Sequence, residues 1–232
     1  DFMDLTEVSP KAGKTRTACA KAIRYLLYNP LLMEGMRRTR TLPIKILEKN
    51  AYICWFPAEV DVSIRKGWFF HEKDNRNSKS AKKLFKIYLN SVGNNCTLLL
   101  NIPPTPQGEI HKKDAKNLKK LGSMIKNITA NPIVYNELGE LTKDNGVLDF
   151  DFNDTRKVKY VVLQEDITKS QRVELFDLYI KKANGKYKRV YKGTVIGSKK
   201  IINLKGKKAK GIRFVIRQSR SNPVIKSIGI YE

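Results

Sequence analysis

The hydrophobic period of this chain changes once along its length, and that change restricts what it can fold into. Residues 81–92, AKKLFKIYLNSV, place Leu84, Ile87, Tyr88, Leu89 and Val92 on one helix face, with Ser80 as N-cap and Gly93 as stop. Residues 111–128, HKKDAKNLKKLGSMIKNI, turn Leu118, Leu121 and Ile125 inward and lysines outward. Between them TLLLNIPP, 97–104, is a short continuous apolar run, as expected of a parallel strand covered on both faces and ended by Pro103 and Pro104. Helix, buried strand, helix is a βα rhythm. Residues 129–157, with Asn131-Pro132 and Asn145-Gly146 as turn signals, read as a junction. Beyond it the period is two. Strands are expected at 158–164, 172–182, 187–193, 194–204, 211–219 and 224–231, with a turn at Asn184-Gly185 and a loop at Lys205–Lys210. Such strands, mostly antiparallel by loop length, predict a β-sandwich.

One stretch departs from both patterns. Residues 55–71, WFPAEVDVSIRKGWFFH, hold both tryptophans of the chain, three phenylalanines and one of its two histidines, beside Glu59, Asp61 and Arg65. Val60, Val62 and Ile64 alternate with Asp61, Ser63 and Arg65, so a strand is expected, with Glu59 on the face of Asp61, Ser63 and Arg65. Gly67 lets the chain turn, so that Trp68, Phe69, Phe70 and His71 can cluster. Flat aromatic faces beside carboxylates and a guanidinium suit a sugar, because rings stack on C–H faces while charged groups hydrogen-bond hydroxyls. The same residues also fit a buried strand with an aromatic anchor, and an ion pair of Arg65 with Glu59 or Asp61 that holds the loop.

Composition narrows the chemistry. The 232 residues suffice for one large domain or two modest ones. No run of eighteen or more apolar residues is present, so no membrane span is expected. Cys19, Cys54 and Cys96 are odd in number and form no CxxC pair, which disfavours zinc and thiol-redox sites; Cys54 and Cys96 read as core thiols. With two distant histidines and no HExxH, no metal or other cofactor is expected. The net charge of +24 would attract polyanions, yet the excess is mostly lysine spread along the chain. No RNP-type aromatic motif or recognition-helix pattern points to a specific nucleic acid.

The N-terminal part is less regular. Residues 1–17 read as an extended start and a loop, 18–28 as a helix ended by Asn29-Pro30, 30–36 as a short buried strand and 52–56 as a strand into the aromatic stretch. The start lacks a basic n-region with an apolar h-region, so no signal peptide is visible.

Three blocks of residues resemble the α-L-fucosidases of glycoside hydrolase family 29. The first is 55–71, where Lys66 stands in place of a usual proline and Phe70 in place of a tyrosine. The second is 85–125, with SVG, N-C, LLLN-PP, G-IH and D-LG in place. The third is LQEDI (163–167), QRV (171–173), IGSKKI (196–201) and a Ser-Arg before NPVI (222–225). The resemblance implies α/β plus all-β architecture: residues 1–130 as the C-terminal portion of a (β/α)8 barrel of the TIM type, degenerate or truncated in its N-terminal part, and 131–232 as a β-sandwich. It implies release of terminal α-L-fucose from fucosylated glycans by a retaining mechanism, and an extracytoplasmic setting. Asp4, followed by Pro10, Gly13 and Lys14, loosely echoes the family's nucleophile loop, although the usual glycine after it is Leu5. Trp68 would form an apolar wall against the sugar, and Arg65, Glu59, Asp61 and His71 would shape the pocket rim or brace its loop. Glu34 and Glu48 are the glutamates between Asp4 and the aromatic stretch apart from Glu7, and neither sits in a recognisable acid/base motif, so the acid/base has no candidate. A full barrel needs about 250 residues, which leads to the expectation of a fragment or a degenerate copy. A non-catalytic carbohydrate-binding protein and a basic polyanion-binding protein are the alternatives.

Overall fold

The structure is a computed structural model that describes residues 58–142 and 146–232. The expected helix at 18–28, the strands at 30–36 and 52–56, Cys19, Cys54 and residues 55–57 of the aromatic stretch lie outside the described residues.

Two short strands, β1 (Glu59–Ser63) and β2 (Thr97–Asn101), pair in parallel, from Glu59 opposite Thr97 to Ser63 opposite Asn101. Parallel strands need a crossover, and helix α1 (Ala81–Asn90) supplies it; helix α2 (Lys112–Lys126) comes after β2. Ser80 caps α1 by accepting from the Lys83 N–H, and the Nδ1 of His111 caps α2 by accepting from the Lys113 N–H. At the exit of α1 a side chain on Gly93 would sit 2.4 Å from the Leu89 carbonyl oxygen, so only glycine fits there.

Ile64, Leu84 and Leu121 form the buried centre of this unit, with Leu100, Ile102, Leu118 and Ile125 around them. The helices thus cover the face of the pair that carries Val60 and Leu100. The opposite face, by strand alternation, carries Glu59, Asp61 and Ser63 from β1 and Thr97, Leu99 and Asn101 from β2. TLLLNIPP is a parallel strand, with one face against the helices and Leu99 on the other face 49% exposed.

Six antiparallel strands make up the rest: β3 (Pro132–Glu140), β4 (Val147–Glu165), β5 (Val173–Lys181), β6 (Tyr187–Gly193), β7 (Lys200–Ser219) and β8 (Val224–Tyr231), in the order β3-β8-β4-β7-β5-β6. Register shifts between Asp151 and Arg156 and between Val158 and Tyr160 break the β4–β7 ladder into halves. The half of β4 from Tyr160 onward lies between β8 and the start of β7, whereas its first half pairs with the end of β7, which pairs with β5. Bulges of this kind bend strands, and both halves contribute to one buried cluster that includes Phe150, Leu163, Phe176, Leu178, Phe214 and Ile228. The arrangement is consistent with a β-sandwich.

Three sequence expectations change in this half. The junction 129–157 contains β3 and the first half of β4, because Leu148, Phe150 and Phe152 already alternate with Asp149 and Asp151 at period two. Residues 194–199 are a turn before β7 rather than part of a strand; Gly197 there has φ of 63°, and a side chain on it would meet Asn95 at 2.3 Å. The Lys205–Lys210 segment is not a loop but a bulged part of β7, where Lys205 (φ 57°) and Gly206 (φ 71°) take up the extra residues.

One buried carboxylate ties this half together. Glu165 is 2% exposed, and its Oε1 accepts from the N–H groups of Arg172 and Val173, each at 2.9 Å, while its Oε2 accepts from Gly197 N–H at 2.8 Å. The blocks LQEDI, QRV and IGSKKI therefore meet at one acceptor. A buried charge is tolerable when its oxygens are satisfied in this way. The outer face of the sheet, with Tyr160, Val162, Ile201 and Tyr231, packs on Ile128 and on Phe85, Tyr88 and Leu89 of α1, which joins the two parts of the chain. Among the described residues no helix is long and apolar enough to cross a membrane.

Replacing the fully buried Leu178 by Ala is expected to cost about 2–5 kcal/mol, read from the midpoint and slope of denaturant unfolding. Two carboxylates give the fold an acid limit. Hydrogen bonds from Arg213 hold the Asp149 carboxyl below the usual range against an opposing effect of burial. Burial pushes Asp177 up, but hydrogen bonds from Arg217 and Tyr179 and the charge of Arg189 outweigh it and leave it low. A carboxyl whose folded pKa is depressed contributes stability that is complete above its unfolded value of about 3.9 and is lost as pH falls through the folded value. The drop in melting temperature below about pH 4 is thus expected to be smaller in the Asp149→Asn, Asp177→Asn double variant than in the parent chain.

Candidate functional site

The alternation of β1 ends in Arg65, and this residue organises the loop beyond the strand. Its side chain is fully buried, and its Nε donates to Asp114 Oδ2 of α2 at 2.7 Å in an ion pair with neither side chain exposed. The partner expected from sequence, Glu59 or Asp61, is corrected to Asp114, which comes from a helix 49 residues further on. From this anchor Arg65 Nη1 donates to Asn75 Oδ1 at 2.9 Å and, more weakly, to the His71 carbonyl at 3.4 Å. The guanidinium lies 4.4 Å from the centroid of the Phe70 ring, a cation–π geometry.

Other side chains close the same loop. Lys79 Nζ donates to the carbonyls of Ser63 and Arg65, and burial with the nearby Lys83 charge lowers its pKa. Ser63 Oγ donates to the Gly67 carbonyl at 2.7 Å. Asn101, at the end of β2, donates to Ser63 Oγ at 3.1 Å and to the Trp68 carbonyl at 2.8 Å. Asn117 of α2 donates to the Lys79 carbonyl at 3.1 Å. The loop after β1 is therefore fixed from below by an ion pair and a set of backbone acceptors. Its apolar tip is left outside, with Trp68 47% exposed and Phe69 79% exposed. Two adjacent aromatic side chains are thus exposed on a closely hydrogen-bonded loop at strand ends.

The other residues expected from sequence are more dispersed. Asp61 lies in the middle of β1 on the face turned away from the helices, half-buried, and its Oδ1 is buried with no hydrogen-bond partner among the described residues, which costs free energy in this arrangement. Glu59 is exposed at the start of β1, about 13 Å from Ser63 at the rise of an extended strand. His71 is exposed, and it enters the loop's bonding through its carbonyl. Asp4, Glu34 and Glu48 lie outside the described residues. Arg65 and Trp68 are thus brought to one loop, with Asp61 on the adjoining strand, and Glu59 stands at the far strand end. Among the described residues no group of three or more His, Cys, Asp or Glu side chains is placed to hold a metal ion.

Sequence reading missed Asp114, Lys79 and Asn101 as parts of this site. Asp114 carried the available signal: an acidic residue in the first turn of a lysine-rich helix, at a position that helical spacing turns toward the strand pair.

The family model described as α-L-fucosidase matches residues 40–129. The chain is 31% identical to α-L-fucosidase 1 of Arabidopsis thaliana in an alignment 208 residues long that covers 76% of this chain and 41% of that protein. A solved glycoside hydrolase family 29 member from an unknown rumen bacterium is 34% identical with a TM-score of 0.69, over 76% of this chain and 33% of its own. A solved protein of Bacteroides ovatus, described as a candidate α-L-fucosidase, is 37% identical with a TM-score of 0.74, over 86% of this chain and 36% of its own. The chain spans about two fifths of the length of the curated relatives it matches. Over that span it resembles the α-L-fucosidases of glycoside hydrolase family 29.

Removing Asp114 alone leaves the Arg65 charge buried without its partner. Asp114→Ala is expected to destabilise the folded state by about 3–5 kcal/mol. The double variant Arg65→Met, Asp114→Leu is expected to recover most of that stability while loosening the loop, as read by chemical denaturation together with hydrogen exchange at residues 66–75.

Proposed function

We propose that this chain forms part of an α-L-fucosidase that releases terminal α-L-fucose from glycans with retention of configuration. The observation that carries this reading is the Trp68–Phe69 surface. It is clamped at the ends of two parallel strands by Arg65–Asp114 and Asn101, within the segment that matches the α-L-fucosidase family. In this reading β1, β2 and their helices are part of a (β/α)8 barrel within residues 1–130, and 131–232 is the accompanying β-sandwich. The aromatic loop then lies at the strand C-terminal ends, where barrel active sites form.

A retaining glycosidase uses two carboxyl groups about 5–5.5 Å apart. The nucleophile attacks the anomeric carbon and the bond to the leaving oxygen breaks as the second group protonates it. Water then releases the sugar with the roles of the second group reversed. Asp4 is the proposed nucleophile. Trp68 is the apolar wall that stacks on the C–H face of the fucose, and Asp61 belongs to the pocket rim. Arg65 acts through the loop, as a positioning residue. Glu59 and His71 belong to the rim. The face of the strand pair turned away from the helices carries Asp61 and the buried Ser63 beside the exposed Leu99.

The test is hydrolysis by the folded chain of an aryl α-L-fucoside with an activated phenolate, a leaving group that departs without a general acid. Turnover is expected, abolished in Asp4→Asn and reduced about tenfold or more in kcat/KM in Trp68→Ala, which corresponds to about 1.4 kcal/mol of lost transition-state stabilisation. Calorimetric binding of L-fucose without any turnover would instead make the chain a carbohydrate-binding protein. Neither turnover nor binding at millimolar sugar would remove the glycan reading.

A further inference from the structure

The bend between β4 and β7 gathers positive charge in a way the rest of the fold does not require. Lys157 stands directly opposite Lys208 in the ladder, and Lys207 is opposite Val158. Lys159 lies two residues from Lys157 and so on the same strand face. Lys205, held with Gly206 in the left-handed region, pushes out of the ladder between Asn203 and Lys207, and Lys210 comes three residues later in the same segment. All six lysines are exposed. Like charges directly opposite each other on neighbouring strands are destabilising. None of the six forms a salt bridge among the described residues; the nearby Glu232 is already taken by Arg156 at 2.7 Å. Elsewhere on the same sheet some cations are matched, Arg213 with Asp149, Lys181 with Asp151 and Arg220 with Glu174, while Lys188, Lys192 and Lys226 stand singly, exposed and outside any salt bridge among the described residues.

We propose that this bend is a binding surface for a linear acidic polysaccharide, one carrying carboxylate or sulfate groups along its length. Lys157, Lys159, Lys208 and Lys210 share one strand face, with Lys205 and Lys207 beside them at the bulge; these exposed ammonium groups can each approach an anionic group, and binding releases the polymer's condensed counterions. The residues of the two segments, RKVK at 156–159 and KGKKAK at 205–210, include no aromatic side chain on which a nucleobase could stack. A polymer recognised by its charge spacing fits such a surface better than a single-stranded nucleic acid. The surface lies outside the aromatic loop and does not depend on the glycosidase reading, so either can fail alone.

The test uses the full chain and two triple variants of equal charge. One removes charge at the bend, Lys157→Gln, Lys207→Gln, Lys208→Gln. The other removes it from exposed positions of α2, Lys116→Gln, Lys119→Gln, Lys120→Gln. Binding to polygalacturonate and to heparin is measured across a salt series, with duplex DNA in parallel. The bend variant is expected to bind at least about tenfold more weakly at low salt and to lose about two to three units from the slope of log K against log salt, as counterion release implies. The α2 variant is expected to keep most of the parent's affinity. The two acidic polymers separate a carboxylate ligand from a sulfated one. Equal losses in both variants would overturn the proposal in favour of diffuse net charge, and tighter binding of DNA than of either polysaccharide would overturn the ligand class. Circular dichroism confirms folding of each variant. Should the bend triple not fold, the single Lys208→Gln, which relieves the opposed pair, reads the same comparison, and unchanged affinity in it would count against the surface.

Discussion

The pairing of Arg65 with Asp114 is the interaction on which the aromatic loop depends. It joins the end of β1 to the first turn of α2, and both side chains are wholly withdrawn from water. Burial of two charges is costly, and their attraction offsets that cost only when the geometry is good and the remaining hydrogen-bonding groups find partners. Here Asn75, the His71 carbonyl and the face of Phe70 supply part of that environment, while Arg65 Nη2 and Asp114 Oδ1 have no hydrogen-bond partner among the described residues. Apolar residues of the same volume could hold a helix against a strand as well. They could not direct the guanidinium's donors onto the loop, and so could not hold Trp68 and Phe69 outward in one arrangement.

The same division of labour recurs in the sheet. Glu165 is buried and gathers three backbone donors from two separate turns, so a charge again fixes loops while the apolar cluster supplies cohesion. Two other carboxylates, the partly exposed Asp149 and the buried Asp177, are instead shared among arginines and tyrosines. The bend of β4 and β7 stands apart from both patterns, with cations crowded together and few anions among them.

Much of the architecture was legible from hydrophobic period. The two helices and the parallel strand between them derive from apolar spacing and caps, and the β-rich half derives from alternation. Strand boundaries were less legible. Turn signals at Asn131-Pro132 and Asn145-Gly146 concealed β3 and the start of β4, because turn residues mark bends between strands as readily as they mark junctions. A run of lysines at 205–210 read as a loop, although a bulge accommodates the extra residues without ending the strand. For the site, the aromatic stretch was visible at once, but its support was not. Arg65 and Asp114 are 49 residues apart, and nothing local to either names the other. Local pattern placed the rings; tertiary contact decided which carboxylate met the guanidinium.

The central claim is that Trp68 is held by the loop as a stacking wall for fucose. Its indole N–H resonance can be followed directly during a titration with L-fucose, in a Trp55→Phe background that leaves one tryptophan in the chain. A saturable shift of that resonance with L-fucose is expected, weakened when the loop is released by Arg65→Met with Asp114→Leu. An indole resonance unmoved by L-fucose in the folded protein would contradict the claim.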